Sequence, residues 1–449
     1  METGPGVTSH GQGLDPDAYR INFRAFLWHS VFLALAVNFV EINTVVPAMV
    51  LRAGGGALFL GVISAVLLGG ASLFQLLFAG YLSHRATKKG PLLVGIHLRI
   101  ASLALLGALL WWSDRAGSTI LLGGILLLVS VFSLSGAFAG VAYVDLLGKG
   151  VAWRRRKHFF SLKQVINAVG TLASAFAVRF LLTAVSFPEN FALAFLAAAI
   201  LLWFASGGFW LIREPESVSL QPSDRLASEG KGQPVAFVRD GLHHQSLRRF
   251  LAESMLQVRR DRRLARYLIV VNTVGLGAAV MPFVVLLARN RFGLHADMVG
   301  DFLLLRTLGM MAAGLGLVWL SQRVSYRHIL VLGGLLGALV PLGALLFQDR
   351  RTAFTVLFFG AGLFAASYKM AVNGILLEIS NDANRAAYAG ISGAGSFLVM
   401  VFPILAGKAI SLVGFEWVFS FVVFLMVIGL WVSLGLRCPA LTDATWRSG

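Results

Sequence analysis

One cysteine, Cys438, stands among 449 residues. A single thiol excludes an internal disulfide and a cysteine-based metal site. Charge is scarce as well. Asp, Glu, Lys and Arg together make up 13% of the chain, about half of what soluble domains carry. Acids are the scarcer sign, 21 against 38 Lys and Arg. The loops by which many enzymes hold phosphate or metal are missing too. There is no Gly-Lys-Ser/Thr phosphate cradle, no metal-ligand set and no His/Asp/Glu cluster in a loop. These absences argue against ATP drive and against an enzyme, and the reading calls for no cofactor and no metal. The first 20 residues are polar and Gly-rich, with no signal-peptide pattern, and the first apolar run is too long for a cleaved segment, so it reads as a retained helix.

What is present is apolar sequence. Hydrophobic residues make up 57% and the mean hydropathy is +0.78. The 49 glycines lie inside the apolar runs, as in membrane helices. Twelve runs reach spanning length: 25–51, 57–82, 91–113, 118–147, 160–186, 190–212, 266–288, 297–320, 328–347, 353–377, 386–411 and 415–437. They lack the period-two alternation of barrel strands, and lipid leaves the helix as the other way to satisfy the backbone. A net charge of +17 would point to nucleic acid in a soluble protein. Here most cations lie between the runs, which makes them a topology signal, and no nucleic-acid partner is expected.

One side of the bilayer holds Arg20, Arg24, Arg85, Lys88, Lys89, Lys149, Arg154, Arg155, Arg156 and Lys157. It also holds ten cations in the 213–265 connection, then Arg323, Arg327, Arg385, Arg437 and Arg447. The other side holds Arg52, Arg115, Arg289, Arg291, Arg350 and Arg351. The biased side is therefore read as cytoplasmic, with both termini inside. Trp111, Trp112, Trp153, Trp203 and Trp210 fall near span ends as an interfacial belt. The domain plan is a cytoplasmic tail 1–24, a six-helix bundle 25–212, a basic linker 213–265, a second six-helix bundle 266–437 and a cytoplasmic tail 438–449. Pro215 stops the sixth helix. In the linker, Leu242, Phe250, Leu251, Met255, Leu256 and Val258 alternate with arginines. That pattern reads either as a basic amphipathic helix on the inner leaflet or as a solvated helix joining the bundles.

The turn Gly80–Gly90 returns in the second half. Leu82, Ser83, Arg85 and Lys89 match Leu320, Ser321, Arg323 and Arg327 at a constant offset of 238. The fold class is thus all-α and integral to the membrane: twelve transmembrane helices as two six-helix bundles in a parallel pseudo-repeat. With Gly80, Leu82, Arg85, Lys88 and Lys89 in that turn, the chain resembles the major facilitator superfamily over roughly 20–437. It departs from the family's turn pattern at two places, where His84 replaces an Asp and Thr87 a Gly. Glu378 and Arg385 match the family's Glu-x6-Arg after helix 10, and Asp145 with Arg154–Arg156 is a looser counterpart after helix 4. Pro47, Pro91, Pro282 and Pro403 fall where such transporters break or bend helices.

The resemblance implies a secondary transporter that rocks two bundles about a central site. It is nearest to bacterial members without an assigned substrate, in the plasma membrane, as a monomer. It also implies a cytoplasmic gate built from Gly80, Arg85, Lys89 and Asp145 in the first half and Arg323, Arg327, Glu378 and Arg385 in the second. In that gate each turn arginine pairs with a nearby acid when the face is closed. His84 is open to two readings, a pH-sensitive element or a tolerated loop substitution.

Charges inside spans are costly, about 2.5–3.5 kcal/mol each on insertion scales. Glu41 reads as the only acid well inside a span, one turn from Asn38 on a shared face. It is either a proton-coupling site or a hydrated or paired group near the outer mouth. The interior cations are Arg99, Arg179, Arg306 and Lys369. Lys369 lies one turn from Asn373 and next to Tyr368, while Lys163, Asn167, Gly170 and Ser174 stripe helix 5. Cations in excess of acids indicate an anionic solute bound by Arg306 and Lys369, with Asn38, Arg99, Asn167, Tyr368 and Asn373 as further candidates. Snorkelling or helix pairing is the other reading of each cation. Arg154, Arg155, Arg156 and Lys157 are expected at anionic inner-leaflet lipid. A drug or lipophilic efflux carrier, a non-transporting scaffold and a lipid scramblase are the competing functions on this fold.

Overall fold

The computed structural model describes residues 15–83, 85, 87–115, 117–214, 256–320, 323–380 and 385–436. Helix dominates them and no strand occurs among them. Eleven helices among the described residues are long and apolar enough to cross a membrane. The apolar helix Ala57–Ser83 adds a twelfth, 27 residues long. In order, spans 1 to 6 are Pro16–Arg52, Ala57–Ser83, Lys89–Trp111, Ser118–Gly150, Trp153–Ala184 and Glu189–Leu211. Spans 7 to 12 are Arg262–Phe292, Ala296–Leu320, Tyr326–Leu346, Arg351–Ile379, 385–413 and Phe415–Leu434.

Span 1 begins nine residues before the expected residue 25, because Pro16 at the first helical position opens the helix ahead of the apolar run. The linker cations Arg239, Arg248 and Arg249, the tail 438–449 and His84 lie outside the described residues.

Prolines explain the breaks in spans 1 and 7. Pro47 has no N–H, and its ring excludes the carbonyl four residues back. Upstream of it, span 1 ends its first helix at Ala36, tightens into a 3-10 turn Val37–Val40 and leaves Glu41 extended at φ −66°, ψ 123°. The helix resumes at Val45–Arg52. Span 7 is cut likewise around Pro282, into Arg262–Val274, Leu276–Ala279 and Met281–Phe292. Pro91 falls in the first turn of span 3, where it is tolerated. Span 11 breaks at Ser396 ahead of Pro403. There Asn272 of span 7 donates to Gly395 O at 2.7 Å and accepts from Leu398 N–H at 2.9 Å.

The repeated turn cations tie helix ends within each half. Lys89 Nζ donates to Trp210 O at 2.7 Å and Ile212 O at 2.9 Å, at the end of span 6. Arg327 donates to Leu434 O at 3.2 Å, at the end of span 12. Both use a cation to satisfy the orphan carbonyls of a helix terminus. These turns share the side to which the 213–265 connection belongs, called here the basic side.

On the opposite, far side the two halves press together. A Cβ on Gly61 would collide with Pro403 O, and one on Gly407 with Ala57 O, so glycine alone lets spans 2 and 11 cross this closely. A Cβ on Gly300 of span 8 would stand 2.7 Å from Arg179 of span 5. Eighteen residues are five helical turns, which returns to the same face. Val178 in span 5 is 0% exposed, while Phe160, eighteen residues nearer the basic side, is 51% exposed. Gly300 in span 8 is buried, while Val318 is 65% exposed. The same helix faces are therefore packed on the far side and uncovered on the basic side.

Candidate functional site

The site starts from the break in span 1. Because the chain leaves the helix at Glu41, its carboxylate turns back on the next segment and accepts from Asn43 N–H at 2.9 Å, Asn43 Nδ2 at 2.9 Å and Thr44 Oγ1 at 2.8 Å. A fourth donor comes from the other half, Arg306 of span 8, whose guanidinium donates to Glu41 Oε1 at 2.6 Å. Both side chains are shielded, at 8% and 11% exposed. Arg306 lies ten residues into Ala296–Leu320, about 15 Å from its far end, near mid-membrane in a core about 30 Å thick. Arg306 Nε and the neighbouring Thr307 hydroxyl are buried without a hydrogen-bond partner among the described residues.

A second cross-half pair flanks it toward the far side. Arg179 of span 5 donates to Asp301 of span 8 at 2.6 Å, with 43% and 35% of the side chains exposed. Arg289 reaches Gly55 O at 3.4 Å. Asp301 is a second acid of the spans, but it lies five residues into Ala296–Leu320, near the far end, where it is part-exposed and paired with Arg179.

The other candidates are dispersed. Asn38 is joined to Glu41 through the 3-10 turn, whose last N–H, that of Glu41, bonds Asn38 O, while Asn38 Nδ2 donates to Thr171 O of span 5 at 2.6 Å. Asn167 is half-buried one turn before Thr171, whose hydroxyl bonds its carbonyl at 2.6 Å. Tyr368 donates to Val271 O of span 7 at 2.9 Å. Lys369 and Asn373 are exposed. Arg99 reaches from span 3 over the Phe132 ring of span 4, 4.2 Å from its centroid.

In the gate set, Gly80 lies in the closing turns of span 2. Arg85 sits 5.1 Å over the Tyr81 ring and donates to its hydroxyl at 2.5 Å. Arg323 sits 4.0 Å over the Trp319 ring. Asp145 is in ionic contact with Lys149 one turn on, at 2.7 Å. Glu378 Oε2 is buried without a hydrogen-bond partner among the described residues. Arg385 opens the helix Arg385–Gly395, and its side chain lies outside the described residues. At the start of span 5, Arg154, Arg155, Arg156 and Lys157 are exposed, and Arg156 Nε also bonds Val151 O at 3.1 Å. Sequence reasoning did not find Asn43, Thr44, Asp301 or Asn272. Asn43 and Thr44 follow Glu41 directly, and an Asx or Thr beside an interior acid and upstream of Pro47 is the signal that was there to be used.

Residues 267–444 match the Major Facilitator Superfamily. A mutant of the nucleoside transporter NupG aligns with 92% of this chain and 99% of its own, at 13% identity and a TM-score of 0.62. The chain has the major facilitator fold. A POT family transporter in complex with 5-aminolevulinic acid matches over 94% of this chain and 95% of that one, at 14% identity and a TM-score of 0.62. The same coverage and identity hold for a POT family transporter with a thioalcohol-conjugated peptide, at 0.61. At such identities the likeness is of fold. No curated protein matches the sequence. This multi-pass membrane protein thus shares the fold of those solved structures, and its two halves are bridged by Glu41 and Arg306.

Proposed function

We propose that this chain is a secondary active transporter, not an enzyme, that moves a small anionic solute by alternating access, coupled to protons at Glu41. The observation that carries the reading is the buried Glu41–Arg306 pair at 2.6 Å, which joins the halves where the far side is packed and the basic side uncovered. The basic side is the cytoplasmic face of a bacterial inner membrane, which places both termini inside and leaves the solute path open to the cytoplasm. The transporter is a monomer, and Arg154–Lys157 rest against anionic inner-leaflet lipid.

Ionised Glu41 holds Arg306 by charge and by a hydrogen bond. A proton on Glu41 removes the attraction, frees the guanidinium and lets the far side part, so proton occupancy biases a two-state element. An anion can then take the released Arg306, with its Nε–H and the Thr307 hydroxyl as the remaining donors. Re-pairing with Glu41 expels the anion once the proton has left. Solute exchange and proton movement are coupled because both compete for one arginine.

Purified protein in liposomes tests this by counterflow of organic anions at two pH values. Wild type is expected to exchange anion with a rate set by pH. Glu41→Gln is expected to keep exchange and lose its pH dependence. Exchange confined to lipophilic cations, or a Glu41→Gln variant with the wild-type pH profile, overturns the reading.

A further inference from the structure

We propose that the first six helices hold a second anion station, set along span 4 between Arg99 and Lys163, which takes an elongated dicarboxylate-like solute. The inference rests on the reading of an anionic solute given above and adds where the solute's charges are held. Span 4 carries Phe132, Gly136, Gly140 and Tyr143 on one side of the helix, at spacings of four, four and three residues. At one end Arg99 lies over Phe132 at 4.2 Å, and its guanidinium would stand 3.1 Å from a Cβ on Gly136. At the other end Lys163 of span 5 donates to Tyr143 OH at 3.1 Å.

Neither cation has an acid partner among the described residues. Arg306 and Arg179 do, so the two kinds of interior cation differ. The remaining described partners of Arg99 are a ring face and nothing else, and its Nε is buried without a hydrogen bond. A guanidinium left so in a low-dielectric interior is costly unless an anion completes it. Between the two cations a Cβ on Gly140 would meet no atom within 4 Å, and Val144, the next turn of that side, is 68% exposed. Open space therefore lies beside Gly140, with a fixed positive charge at each end. Gly136 and Tyr143 are seven residues apart, about 10 Å along the axis. That length fits one solute with an anionic group at each end better than two small ions.

Equilibrium binding to the purified full-length chain tests the station without requiring transport. The probes are acetate, succinate and suberate, measured by isothermal titration at low salt. Suberate is expected to bind most tightly and acetate least. Arg99→Gln and Lys163→Gln are each expected to weaken suberate by about tenfold or more, the loss of one charge-assisted contact, while Arg99→Lys retains part of the affinity. Gly140→Leu fills the open space and is expected to abolish suberate binding while leaving the unliganded melting temperature near wild type, which separates a blocked site from a misfolded protein. Equal affinity for the three acids, or suberate binding unchanged by Arg99→Gln and Gly140→Leu, overturns the station. Suberate binding of the expected pattern without any proton-dependent counterflow keeps the station and overturns the coupling at Glu41.

Discussion

Glu41 and Arg306 differ from Arg179 and Asp301 in how far water reaches them. The first pair is 8% and 11% exposed, the second 35% and 43%. Removing one member of a buried pair leaves an uncompensated charge and costs about 3–5 kcal/mol, whereas an exposed pair contributes about 0–1 kcal/mol. Arg306→Met is therefore expected to lower the melting temperature of the purified protein far more than Arg179→Met. The double variant Glu41→Leu with Arg306→Met is expected to recover most of that loss, because no buried charge remains. A double variant as unstable as the two single effects summed would show that the pair is not coupled. Both partners stood out in the sequence, since an acid and a cation in apolar runs demand an explanation. Their pairing did not, because 265 residues separate them and no local period links them. Asp301 escaped notice because it lies near the far end of its run, where a charge reads as interfacial.

At the scale of the element, the helix starts and breaks follow from few residues. Pro47 and Pro282 marked the interruptions of spans 1 and 7 in advance, because the missing N–H acts locally. The start of span 7 has a second device. Asp261 caps it, accepting from Arg263 N–H at 2.8 Å and Leu264 N–H at 3.3 Å, and from the Tyr388 hydroxyl of span 11 at 2.5 Å. Burial pushes the Asp261 carboxyl up, but the bonds from Tyr388 and the two amides outweigh it, so its pKa falls below the ordinary carboxylate value. A carboxyl with a lowered folded-state pKa stabilises above its unfolded pKa, and that stabilisation is lost as pH falls through the folded value. Asp261→Asn keeps a capping oxygen and is expected to cost about 1 kcal/mol near neutral pH, the difference between hydrogen bonds to a charged and to a neutral acceptor. The gap between wild type and variant, read from melting temperatures across pH, is expected to close below about pH 4. A gap that persists to low pH would mean that the carboxylate charge is not what holds the cap. The tie to Tyr388 was not legible, since it joins residues 127 apart.

At the scale of the molecule, the twelve spans and their repeat were legible because lipid permits few alternatives, while the relative opening of the two sides was not, because it depends on which faces meet. The repeat runs further than its basic residues. Tyr81 and Trp319 keep the offset of 238, and each carries the turn arginine four residues on, Arg85 at 5.1 Å and Arg323 at 4.0 Å. An arginine over an aromatic face is held by about 0.5–1 kcal/mol at exposed sites, little enough to be given up when the basic side closes. Rocking then makes a definite demand on solvent access. Gln164 is exposed and lies five turns from Leu182, which is 0% exposed on the same face of span 5. With Cys438 replaced by Ser, a water-soluble maleimide is expected to label Gln164→Cys and Val318→Cys readily and Val178→Cys scarcely at all. Adding Glu41→Gln weakens the far-side bridge, and the halves tilt toward closure of the basic side. Labelling at both Gln164→Cys and Val318→Cys is then expected to fall together, several-fold, while labelling at Val178→Cys rises. If the two basic-side positions respond independently, or if Val178→Cys stays protected when they close, the halves do not move as the rigid bodies that alternating access requires.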